Sequence, residues 1–73
     1  MNGEDVTTLD RFGAPWGREV TLENVDHESG LRMLRIRIRE GRRFTVMDID
    51  EETARRWNAV MNEWLESHQQ TTG

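Results

Sequence analysis

Six arginines, Arg32, Arg35, Arg37, Arg39, Arg42 and Arg43, fall within twelve residues and make up more than half of the ten basic side chains. Guanidinium groups bind carboxylates and phosphates through a planar fork, so a stripe of them offers an anion surface. For single-stranded nucleic acid, Arg35, Arg37, Arg39, Arg42 and Arg43 would carry the contacts, with aromatic side chains beside them as stacking platforms. The competing reading is a solvent face neutralised by carboxylates on the neighbouring strand. All ten basic residues are Arg and none is Lys, which codon usage in a GC-rich genome explains without assigning a role. The net charge of −4 argues against a general nucleic-acid binder, for which a basic excess is expected.

Other chemistry is sparse. Asp26-His27-Glu28 places three ligand types in a row, but adjacent residues rarely converge on one ion, and only His68 adds a second imidazole. His68 near the helix end also favours the helix dipole. The chain lacks Cys, Lys and Tyr, which removes disulfides, thiolate metal sites and Schiff-base chemistry. Its fourteen carboxylates are spread over caps, strands and helix ion pairs, whereas an acid–base pair needs opposed environments in a cleft. The expectation is a non-catalytic protein without metal or cofactor.

These side chains need elements to hold them. Leu34–Arg39 alternates apolar and basic residues with period two and reads as a strand, as do Glu19–Glu23 and Arg43–Met47. Asp26–Gly30 and the Glu40-Gly41 turn join them into two hairpins. Thr7–Phe12 is a fourth, edge strand, a bulged strand or a strap across the sheet edge, and Gly13–Gly17 is a turn. Asp48 and Glu51 stand at capping-box spacing, with Asp50 as the other N-cap candidate. Trp57, Val60, Met61, Trp64 and Leu65 then recur at helical spacing. The fold class is therefore α+β: a three- to four-stranded antiparallel meander followed by one C-terminal helix packed on one face. Residues 6–66 form the single domain, and the polar ends 1–5 and 67–73 are expected to be disordered.

Hairpin registers follow from keeping one face apolar. A three-residue loop Arg39-Glu40-Gly41 pairs Ile36 with Phe44 and Leu34 with Val46. A five-residue loop before it pairs Leu22 with Leu34 and Val20 with Ile36. The inner face then holds Val20, Leu22, Leu34, Ile36, Ile38, Phe44 and Val46, and the helix stripe covers it. The outer face carries the arginines with no aromatic among them, and Glu19 stands opposite Arg37. Leu31, Met33, Met47 and Ile49 share that outer parity and form an apolar patch where a partner could dock, unless the Val6–Trp16 segment folds over them. Trp16, between Pro15 and Gly17, is either an interface anchor or a turn residue folded back on the core.

The run Ile36-Arg37-Ile38-Arg39-Glu40, the Gly41-Arg42-Arg43 turn, and Asp50 leading into Trp57 resemble the single-stranded-DNA-binding transcriptional positive cofactor family over Val20–Glu66. That resemblance implies a curved antiparallel sheet followed by a long helix, two chains paired through their helices, and nucleic-acid contacts from Arg35, Arg37, Arg39 and Arg43. The chain also resembles the many short bacterial domains that have no assigned role.

A chain of 73 residues buries only about 60% of its unfolded surface, and domains this small usually need disulfides, a metal or a partner subunit. With no Cys, good packing or a two-fold homodimer remains. The acidic start, Met1–Asp5, is followed by no apolar run, so neither a secretory signal nor a membrane span is expected and the chain reads as cytoplasmic. The functional expectation is a small non-catalytic protein-interaction module that can self-associate, with single-strand nucleic-acid binding as the alternative.

Overall fold

The computed structural model describes residues 3–72, with side chains as far as Ser67. Strands β1 (Glu4–Ala14), β2 (Arg18–His27), β3 (Arg32–Glu40) and β4 (Arg43–Ile49) form one antiparallel sheet in sequence order, and helix α1 (Glu51–Thr72) follows. The expected α+β meander and helix are both present. The N-terminal segment is a fourth, edge strand, carrying a bulge at Leu9 between the pairs Thr8↔Glu23 and Asp10↔Leu22. A bulge disrupts the ladder locally and helps to blunt an exposed edge. Glu4 and Asp5, expected to be disordered, lie within β1, and residues 67–72 continue the helix. Met1, Asn2 and Gly73 lie outside the described residues.

The β2–β3 register is shifted by two residues from expectation, pairing Leu22 with Ile36 and Val20 with Ile38. Such a shift preserves the faces. The β3–β4 register changes them. Glu40 pairs with Arg43 across a two-residue loop, Gly41-Arg42, and the ladder continues Ile38↔Thr45, Ile36↔Met47, Leu34↔Ile49. Gly41 has φ +60 and Arg42 is not left-handed, the pattern of a II′ turn with glycine first. Phe44 and Val46 therefore share a face with Arg35, Arg37 and Arg39, while Met47 and Ile49 lie on the face of Ile36. The cause is in Asp48 and Ile49. The expected register would set Asp48 among the inner aliphatics. The observed one puts Asp48 opposite Arg35 and buries Ile49.

The helix starts at an Asp50 cap, whose Oδ1 accepts a hydrogen bond from the Thr53 amide at 2.8 Å. The Thr53 hydroxyl and, to a lesser degree, this amide hold the Asp50 carboxyl below the usual aspartate range. Asp48, the capping-box alternative, is instead engaged with Arg35. Helix α1 packs against β3 near its N-terminal end, where Glu51 and Ala54 border the Leu34–Ile49 corner. Beyond that corner the apolar stripe stays open: Trp57 is 38% exposed, and Val60, Met61, Trp64 and Leu65 are 52–68% exposed. Among the described residues, the buried apolar side chains are Val25, Ile36 and Ile49. The molecule is 54 Å long and 15 Å thick, with a radius of gyration of 15.2 Å. A compact chain of this length would have a radius of gyration of about 11 Å.

Candidate interaction surfaces

The arginine face is built by β2, β3 and β4, whose alternation points one residue in two to the same side. Arg35 donates from Nε to Asp48 Oδ1 at 2.8 Å and from Nη2 to Oδ2 at 3.0 Å, a bidentate pair. This contact holds the Asp48 carboxyl below its ordinary value and raises the Arg35 guanidinium above its own. Glu4 lies 3.9 Å from both Arg35 and His27. Arg37 bonds Glu23 at 3.0 Å and Arg39 lies 3.5 Å from Glu19, while on the opposite face Arg18 lies 2.6 Å from Glu40. Glu23 and Thr21 are buried because they sit on a central strand beneath long arginine stems, which cover apolar and backbone surface while keeping their heads wet.

The self-neutralised face therefore exists, with partners assigned by the observed register. Glu19 stands opposite Arg39 and Glu23 opposite Arg35. Arg42 and Arg43, at the β3–β4 turn, have no ion pair among the described residues, and neither does Arg11 on β1. The expectation that no aromatic shares this face is corrected: Phe44 is 63% exposed on it and borders a groove of about 290 Å³ with Arg37, Arg39, Arg11, Glu19, Thr21 and Glu23.

The four-residue apolar patch does not form as a unit. Met33 pairs with Val25 on the arginine side. Met47 and Ile49 face the other way, and Ile49 is buried. Leu31 lies in the β2–β3 connection and is exposed. Sequence reasoning missed the stripe as a surface, because it assumed the helix would lie across the sheet. The signal was available in the two Trp residues seven apart on a chain too small to cover both.

Trp16 does not fold back. It sits at the β1–β2 tip, 89% exposed, with φ 63 and ψ 38. A bulky residue in the left-handed region is a genuine conformational outlier. His27 pairs with Glu4 only at 3.9 Å. Among the described residues no group of three or more His, Cys, Asp or Glu could hold a metal ion, and no helix is long and apolar enough to cross a membrane. The side chain of His68 lies outside the described set.

Fold and surfaces together define a small α+β domain with one charge-paired sheet face and one exposed apolar helix stripe. The chain belongs to the family of unknown function DUF6967, whose model matches residues 3–67. No curated protein and no solved structure matches it.

Proposed function

We propose that this protein is a non-catalytic interaction module that folds and works as a self-associated unit, with helix α1 as its association surface. One observation carries the reading: in this 73-residue chain the described residues bury only Val25, Ile36 and Ile49 as apolar core while exposing five large apolar side chains on one helix face. Three buried aliphatics and a half-buried sheet face make a small core for a domain of this size, and the helix stripe is apolar surface still available for burial. Trp64, 68% exposed, and Trp57, 38% exposed, keep part of the roughly 150–250 Å² that an aromatic side chain can bury, and with Val60, Met61 and Leu65 they offer apolar area toward the ~800 Å² per partner of a standard interface. The expected result is a sedimentation-equilibrium mass of two chains at micromolar concentration. A folded single chain at millimolar concentration would overturn the reading.

A second reading, single-strand nucleic-acid binding, draws its support from Phe44 on the arginine face beside Arg37 and Arg39, with Arg42 and Arg43 open at the adjoining turn. Internal pairing leaves few guanidinium groups available for phosphates, so weak binding is expected. Its affinity should fall steeply with salt and drop in an Arg42→Ala/Arg43→Ala variant. No retention of oligothymidylate at low salt would end this reading.

A further inference from the structure

We infer that α1 pairs antiparallel with the α1 of a second copy of the chain, and that Arg56 and Glu63 set the register by pairing reciprocally across a two-fold axis. The inference rests on the self-association proposed above and specifies its geometry. At 100° per residue, Trp57, Val60, Met61, Trp64 and Leu65 occupy one helix face, and Arg56 and Glu63, seven residues apart, fall on the same flank of it within about 20°. Both are exposed, and among the described residues neither has an ion-pair partner. The nearby Arg55 is already paired with Glu51 one turn away.

An isologous pairing makes each contact occur twice, with residue i of one copy meeting residue j of the other and the reverse. The centre of the stripe lies near Val60 and Met61. Two antiparallel helices crossing there set Trp57 of one copy toward Trp64 of the other, and Val60 toward Met61. The same crossing brings Arg56 of each copy within about a helical turn of Glu63 of the other, so two reciprocal opposite-charge pairs line one side of the apolar seam, one on either side of the two-fold axis. Parallel pairing loses this complementarity. It also brings both sheets to the same end, since each helix carries its own sheet at its N-terminal end through the β3 contact. Antiparallel pairing sets the two sheets at opposite ends of the helix pair.

Charge reversal separates the possibilities. Arg56→Glu alone sets two glutamates against each other, and Glu63→Arg alone sets two arginines against each other. Each variant should dimerise roughly tenfold more weakly than the parent. An equimolar mixture of the two should recover parental affinity as a heterodimer, and so should the double variant Arg56→Glu/Glu63→Arg in one chain. If the parent dimerises but neither mixture nor double variant recovers, the antiparallel register is wrong while self-association stands. A monomeric parent would remove both. The recovering double variant shows that loss in the single variants is not misfolding, and its failure alongside a failed mixture counts against the register.

Discussion

Replacing Trp57 and Trp64 together by Ala should turn the protein into a poorly structured monomer whose helicity no longer depends on concentration. Both indoles lie on the stripe that the sheet leaves open. Aromatic anchors at the centre of an interface typically cost 2 kcal/mol or more on truncation, and two such losses on each chain exceed about a thousandfold in dissociation constant, at 1.4 kcal/mol per decade. Because the chain has so little core of its own, dissociation and unfolding should coincide. Ala59→Gln, on the opposite side of the same helix at 100° per residue, serves as the control and should change neither. Gel filtration with in-line light scattering, followed by circular dichroism of the same fractions, reads both quantities. A double alanine variant that remains a folded monomer would show that the stripe is not what completes the fold.

The second large effect is expected at the Arg35–Asp48 pair. Asp48→Asn keeps the size of the side chain but removes the carboxylate from a bidentate contact in which Arg35 is only 17% exposed. Hydrogen bonds to charged groups contribute about 1.5–3 kcal/mol, and leaving a half-buried partner unsatisfied adds to the loss. The pH dependence has a definite sign. Asp48 is held below its ordinary value in the folded protein, so its contribution is fully present above the unfolded carboxylate value near 3.8. It is lost as pH falls through the lower folded value. The parent should therefore lose stability on acidification below about pH 4–5, while Asp48→Asn starts lower and loses less over the same interval. Urea unfolding at pH 7 and pH 3 provides the comparison, and equal acid losses in both proteins would contradict the assignment. Asp50, whose value is lowered by the Thr53 cap, retains part of the acid sensitivity in both.

Much of the fold is legible in the sequence because it rests on periodicity. Leu34–Arg39 announces its strand, Trp57–Leu65 its helix, and the two-residue shift in the first hairpin leaves the faces unchanged. The last hairpin is where face reasoning misleads. Phe44 and Val46 look like core residues by hydrophobicity, but a II′ turn at Gly41-Arg42 and the pairing of Arg35 with Asp48 outweigh that preference. A three-residue shift, odd and therefore face-changing, carried Phe44 onto the arginine face, moved Met47 off it, and dissolved the patch with Leu31 and Met33. The helix stripe raises a different difficulty. Its pattern is visible in the sequence, but which surface it covers depends on where the helix points after Asp50, and no local signal encodes that direction. Trp16 is similar: Pro15 and Gly17 mark a turn, while the left-handed tryptophan at its tip is set by the turn geometry.

The account stands on a second chain covering the helix stripe, and thermal unfolding over a range of protein concentrations tests this most directly. For an associated fold the midpoint must rise with concentration, because folding is coupled to association by mass action. We predict a steady increase in Tm over a hundredfold dilution series, abolished in the double Trp variant. A cooperative transition at the same Tm across the whole series, from a species of 8.6 kDa, would contradict it.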